Sequence, residues 1–451
     1  MRLIKWFLTL IVAAVVLAVL WLAVAPPALI QVASAYSAKI VCSNTFIAGR
    51  DPAQVLMDDV QAPGHWLLKY IRLETDREAK TVSAALLGVF GQGKAVAREG
   101  LGCTSVPDGN LGAVAKAALP APATAPTGLW PEGEEVQPSQ DPAIAAILDD
   151  AAMTGPGMRA VVVAQNGRIV GERYGDGFDA RSPLLGWSMT KTVNAAIIGT
   201  VVKAGKLSVD QKGLVESWNT DGRKDISLAD LLAMSSGLEF NEDYGDVTDV
   251  TRMLFLQPDM ASFAAAKPTV GAVGQVFNYA SGTATLLSRI WQDAVGAEAA
   301  FNWPRQILFD PIGMHSAVLE QDESGTFVGS SYMYATARDW ARFGQFMLDG
   351  GVWNGAQILP EGFASWMAEP AAASNRQYGR GQLWLLGPGQ DAALETSSGV
   401  PDDAYWLIGH DGQTVAIIPS RRLVVVRLGL TPSKLNYRPQ VMVGALSRAL
   451  P

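Results

Sequence analysis

Apolar and polar positions divide this chain into regions of different character. Trp6 to Ala25 is an unbroken run without a charged residue, preceded by Arg2 and Lys5. Twenty helical residues reach about 30 Å, the thickness of a bilayer's hydrocarbon core. Strict β patterning first appears at Arg159–Ala164 and Ile169–Tyr174, two runs separated by Asn166-Gly167, a strong hairpin signal. It returns at Tyr405–Gly409, Thr414–Ile418 and Leu423–Leu428, with turns at 410–413 and 419–422. Helical spacing marks Pro142–Ala152, Met189–Val202, Leu228–Met234, Gly282–Val295, Thr336–Leu348 and Pro439–Leu450. Strands from both ends of the 140–451 region are therefore expected in one antiparallel sheet, with helices inserted between them. The seam between sheet and helices is the natural cleft for a site.

Upstream, residues 118–128 are rich in proline and alanine and cannot hold a helix. The expected organisation is an anchor at 1–29, a small module at 30–117, a linker at 118–139 and a larger unit at 140–451. Basic residues precede the apolar run and none follows until Lys39, which predicts the N-terminus inside and the remainder outside. For a bacterial chain this means a single-pass inner-membrane protein with its bulk in the periplasm. A cleaved signal peptide is the alternative, with Ala33-Ser34-Ala35 as its cleavage-like triplet. Signal cores usually run about 7–15 residues, shorter than this one, so the retained anchor is favoured.

Composition narrows the classes. Hydrophobic residues make up 49% and charged residues 17%, which excludes a disordered chain. A net charge of −8 without any dense basic run argues against nucleic acid as a partner. The three histidines and two cysteines have no zinc-ligand spacing, so neither a metal nor another cofactor is expected. Outside the cytoplasm, Cys42 and Cys103 are expected to pair. On the chain-entropy view the closed loop would stabilise the module by about 4 kcal/mol. Two buried free thiols are the other possibility.

The candidate chemistry begins at Ser188-Met189-Thr190-Lys191. On a helix, position i+3 returns to the face of position i, so the lysine amine hangs beside the serine hydroxyl. A serine hydroxyl needs a neighbouring base, and a lysine drawn out of water has a lowered pKa. One such tetrapeptide is expected by chance in a chain of this length, so its company matters. That company is Tyr279-Ala280-Ser281 just before a helix start, and His410-Asp411-Gly412-Gln413 at a strand start.

With these motifs in this order, the chain resembles the serine β-lactamase and penicillin-binding-protein superfamily. It is most similar to the branch of class C β-lactamases, esterases and 6-aminohexanoate-dimer hydrolases. Ser227–Leu238 and Tyr334–Gly344 resemble two further stretches of that family, and the resemblance spans about residues 155–450. It implies an α/β (α+β) fold of the β-lactamase/transpeptidase type. It also implies an acyl-enzyme hydrolase acting on a small or peptide-like amide or ester.

By the same resemblance Ser188 is the nucleophile. Lys191 keeps the Tyr279 phenol acidic enough to act as base or relay. The N–H groups of Ser188 and Gln413 form the oxyanion hole. Ser281 holds the lysine and substrate, His410 contacts a substrate carboxylate or orients Tyr279, and Gly412 lets the substrate approach the backbone. Tyr244, in Asn241-Glu242-Asp243-Tyr244, corresponds to a substrate-contacting tyrosine. Ser281 in place of Asn, and His410-Asp411 in place of Lys-Thr, weaken the case for a β-lactam, since no permanent cation awaits its carboxylate. A non-catalytic envelope protein binding peptidoglycan or a partner on the same fold is the rival reading.

Overall fold

The computed structural model describes residues 2–110, 119 and 126–450. Helix α1 (Arg2–Val24) buries none of its side chains, and its mean hydropathy of 2.9 fits the apolar run. Pro26-Pro27 breaks the helix, because the Pro27 backbone is extended and proline cannot continue the hydrogen-bond ladder. Helix α2 (Ala28–Phe46) follows and is buried along most of its length.

Four antiparallel strands come next: β1 (Ile71–Asp76), β2 (Thr81–Leu86), β3 (Phe90–Arg98) and β4 (Gly102–Ser105). Helix α2 lies across this sheet, and Cys42 of α2 is disulfide-bonded to Cys103 of β4.

The larger unit opens with α3 (Pro142–Asp149), which ends short of the expected Ala152 because Asp150 leaves helical geometry and caps a separate turn. Strands β5 (Met158–Gln165) and β6 (Arg168–Tyr174) pair around Asn166-Gly167, both at positive φ as a tight hairpin demands. Helices α4 (Thr190–Lys203), α5 (Asp249–Leu256), α6 (Ser281–Val295) and α7 (Ala337–Leu348) follow. The chain returns through β7 (Tyr405–Gly409), β8 (Gln413–Ile418) and β9 (Leu423–Gly429), and ends in α8 (Pro439–Ala449).

The five strands order as β7-β8-β9-β5-β6, all antiparallel, so β9 pairs directly with β5 and joins the two ends of the unit. Alternation sorts the side chains. Val161 and Val163 face α3 and α8, whereas Ala160, Val162 and Ala164 face the core shared with α4 and α7. This is the sheet with an inserted helical subdomain that the pattern predicts.

Most of the 118–139 segment's proline-rich half lies outside the described residues, but its later part is not a free tether. Trp130 is buried, and the Arg342 guanidinium donates to the carbonyls of Pro131 and Gly133, fastening this stretch to α7. The module of residues 28–110 likewise packs on the larger unit. Helix α2 is held between its own sheet and α5, with Tyr36 and Phe255 edge to face at 5.4 Å.

Polar contacts lock the same interface. Lys39 Nζ donates to Glu320 Oε2 at 2.5 Å in full burial, and Glu320 also accepts from Ser43 Oγ and the Cys103 N–H. Asp59 receives both Arg50 and Arg159 of β5 in paired contacts of 2.6–2.9 Å. Burial raises the Asp59 pKa, but the two guanidinium groups outweigh it and hold the carboxyl below its ordinary value.

Removing one member of a buried ion pair strands the other charge and costs about 3–5 kcal/mol. Glu320→Ala is therefore expected to lower the melting temperature strongly, and Glu320→Leu combined with Lys39→Met to recover most of the loss. Thermal denaturation of the single and double variants checks this.

Candidate active site

Ser188 sits in a short 3-10 turn, Trp187–Met189, just ahead of α4. The turn is strained, since Trp187 has a φ of +48°. Such a backbone costs on the order of 1–3 kcal/mol and persists only where packing over-determines it. Here Gly186 lies so close under Trp340 that a Cβ would come within 2.2 Å of the indole, and the Trp187 side chain is buried against Tyr332, Tyr244 and His410. The N–H groups of such an initial turn have no carbonyl partner within the helix.

The first turn of α4 places Lys191 beneath the nucleophile. Its Nζ is 2.9 Å from Ser188 Oγ, 3.0 Å from Ser281 Oγ and 3.0 Å from the Ser330 carbonyl. Ser281 begins α6, and Ser330 lies in the segment before the 333–335 strand. Gly329 permits that segment's approach, because a Cβ there would collide with Ser288 and Asn194 of the two helices. Lys191 is only 1% exposed, and burial lowers its pKa to about 8 against the opposing charge of Glu242.

Hydrogen-bond accounting orients this amine. Glu242 accepts the Ser281 N–H at 2.7 Å and the Ser281 hydroxyl at 2.5 Å. The one hydroxyl proton of Ser281 is thereby committed, so Ser281 can only accept from Lys191, as can the Ser330 carbonyl. A neutral amine has two N–H groups and one lone pair. With both N–H groups engaged, the lone pair is left facing the Ser188 hydroxyl.

Tyr279 faces Ser188 and Trp384, and Lys191 Nζ lies over the face of its ring, 4.8 Å from the centroid. Its pKa is raised by burial and by the Glu242 charge. Both causes favour the neutral phenol at rest.

Tyr244 is in the same group, stacked on His410 at 4.9 Å with its hydroxyl turned toward Ser281 and Ser331. His410 also meets Trp187 at 5.6 Å, so it flanks Tyr244 instead of orienting Tyr279.

The β7–β8 hairpin reaches the nucleophile through Gly409, where a Cβ would meet the Gly186 carbonyl at 2.1 Å. Gln413 pairs with Gly409 across the hairpin. Its side-chain amide bonds to the carbonyls of His410, Asp411 and Gly429 and to the Gly429 N–H, leaving only its backbone for any substrate. Gly412 lies at the turn of the same hairpin, at positive φ. A Cβ there would meet Arg427 and Thr431, so glycine serves the positive-φ turn and the packing behind it.

Glu242 and the Ser330 carbonyl are absent from the motif-based site. Glu242 stands in the acidic stretch 239–249, where composition alone reads as a solvated loop. Its neighbour Tyr244 was the available signal, because a substrate-facing tyrosine implies that its loop folds inward.

A serine hydroxyl in contact with a dehydrated lysine amine, at the seam of an antiparallel sheet and a helical subdomain, fits a serine hydrolase of amides or esters. Residues 148–434 match the beta-lactamase family, and the chain belongs to it. The 6-aminohexanoate-dimer hydrolase of Paenarthrobacter ureafaciens is 24% identical over 298 residues, covering 60% of this chain and 72% of its own. A penicillin-binding protein homolog from Caulobacter crescentus shares the fold with a TM-score of 0.53 at 15% identity, over 70% of this chain and 99% of that one. A family VIII carboxylesterase does so with a TM-score of 0.52 at 17% identity, over 70% and 100%.

If neutral Lys191 is the base, kcat/KM rises with pH and levels off above about 8. The Glu242 carboxylate favours the ammonium, so Glu242→Gln is expected to move that ascending limb to lower pH while reducing the plateau. A pH–rate profile of both proteins reads the sign directly.

Proposed function

We propose that this protein is a membrane-anchored, periplasm-facing hydrolase that cleaves an amide or ester bond through an acyl-enzyme on Ser188. The observation that carries this reading is the Lys191 amine, buried, 2.9 Å from Ser188 Oγ and held by two acceptors that turn its lone pair toward that hydroxyl.

In the proposed sequence the neutral amine takes the Ser188 proton as Oγ bonds to the substrate carbonyl carbon. The carbonyl oxygen becomes an oxyanion, received by the Ser188 N–H and by a second backbone donor, Gln413, from the hairpin. One such donor is worth about 3 kcal/mol of transition-state stabilisation. Collapse breaks the bond to the leaving nitrogen or oxygen, which takes the Tyr279 proton, and the Lys191 ammonium reprotonates Tyr279. Water then attacks the acyl carbon with Lys191 again as base, and collapse breaks the bond to Ser188 Oγ, which takes the proton back from the Lys191 ammonium as the acid leaves. At pH 7 an amine with a pKa near 8 is neutral in about a tenth of molecules, enough for turnover.

Ser281, Tyr244 and His410 surround the space where the acyl and leaving groups would lie. The resemblance of motif order to the amide-cleaving and ester-cleaving relatives supports this class. The lack of a lysine in the third motif favours an ordinary ester or amide over a β-lactam.

Retention of α1 as an anchor has its own support. Ala33, Ser34 and Ala35 are buried inside α2, so cleavage there would divide a packed helix and remove part of the module's core.

A fluorophosphonate is expected to label wild type and not Ser188→Ala, read by intact mass. Ser188→Ala and Lys191→Ala should each lose at least ~10³-fold in kcat/KM toward p-nitrophenyl esters. If α1 is retained, the full-length mass is found in the membrane fraction after an alkaline wash. A mass lacking the first 35 residues would mean cleavage.

A further inference from the structure

The module of residues 28–110 lies outside the region matched by the family, yet it builds one wall of a cavity that Trp187 also lines. This cavity has a volume of about 180 Å³. Leu29, Val32, Ala33 and Tyr36 of α2 line it, with Leu68 of the same module and Phe255 of α5 opposite. Its inner side is formed by Trp187, the residue before Ser188, and by the stacked pair Tyr244 and His410.

The chemistry of this lining selects against anions. No lysine or arginine is among the described residues that line it, and the acidic groups at its edge are Asp246 and Asp411. A substrate carboxylate would meet like charge and no cation, whereas a hydrocarbon chain would meet aliphatic and aromatic surface.

The cavity lining also reaches the first turn of α2. Leu29 lies in the first turn of α2, directly after the Pro26-Pro27 step. Around it the module exposes large apolar side chains: Leu29 37%, Trp66 63%, Tyr70 47%, Leu87 56% and Val89 70%. Neighbouring contacts link these residues. Gly91 abuts Pro26 and Ile30, and the Val89 N–H bonds to Leu86 in the turn just before it. The Leu87 N–H bonds to Tyr70, Tyr70 packs on Trp66 at 6.2 Å, and Trp66 meets His65 at the cavity rim at 5.4 Å. Tryptophan and tyrosine beside a membrane-spanning helix are the side chains that favour the bilayer interface.

We propose that this cavity receives the hydrocarbon chain of a membrane amphiphile, whose ester or amide carbonyl is thereby presented to Ser188. The module is then the lipid-side wall of the substrate site, and the exposed apolar path is where the chain leaves the bilayer. This assignment of substrate class rests on the acyl-enzyme reading above and on retention of α1.

The test uses the full-length protein in nanodiscs, with p-nitrophenyl acetate, butyrate, octanoate and dodecanoate, each corrected for the Ser188→Ala background. A methylene moved from water into an apolar cavity can raise kcat/KM by up to about fourfold. From acetate to octanoate the expected gain is at least about thirtyfold, allowing for partial burial. Val32→Trp, which fills the cavity from α2, should cut the octanoate-to-acetate ratio at least tenfold, as should Leu68→Trp. Should either variant fail to fold, the wild-type series decides alone. Ser188-dependent turnover that is flat or falls with chain length overturns the amphiphile assignment and leaves the acyl-enzyme reading standing. Absence of Ser188-dependent turnover with every ester overturns the reading beneath it.

Discussion

A primary amine kept out of water is the constraint around which this molecule is arranged. Lys191 is buried without a directly paired carboxylate, which is unfavourable unless every N–H finds an acceptor and the charge can be relinquished. Its hydrogen-bond partners come from three separate stretches: the turn before α4, the start of α6, and the segment at 328–331. Those stretches must converge to within hydrogen-bond distance of one nitrogen. The close contacts of Gly186 under Trp340 and of Gly329 against α4 and α6 are the packing through which they do so. The strained φ of Trp187 is the local cost of presenting Ser188 at that point.

Glu242 sets the electrostatics of the same centre from one step further out. By taking both donors of Ser281 it fixes which way the hydroxyl points, and through it which way the amine points. Its charge pushes the Tyr279 and Tyr244 phenols toward their neutral forms while it opposes deprotonation of Lys191. One carboxylate thus tunes the base, keeps the proton on the relay and orients the hydrogen-bond chain. In the low dielectric of the site these effects are larger than they would be in water.

The N-terminal module is joined to the larger unit by contacts of a kind that tolerate little sliding. Lys39 with Glu320, and Asp59 with Arg159, are geometrically specific, while α2 buries apolar surface on both sides. Burying charge in this way is weak evidence for stability, because desolvation offsets most of the attraction. Its consequence is registry. α2 is set in one position relative to α5, and the wall it presents beside Trp187, Tyr244 and His410 is set with it.

The order of motifs and the alternation of apolar residues determined the family, the five-stranded antiparallel sheet, the inserted helices and the Ser188–Lys191 pairing. Each of these follows from local periodicity or from i, i+3 geometry, which a linear chain carries in itself. The roles of Glu242, the Ser330 carbonyl and Gly412 were decided only by tertiary structure. An acidic loop residue, a main-chain oxygen and a turn glycine look alike in sequence whether they face a reacting centre, solvent or a distant arginine. The same holds for the module's wall, built from ordinary leucines, valines and alanines of α2. Burial and direction are properties of what packs against a residue, and that partner lies elsewhere along the chain.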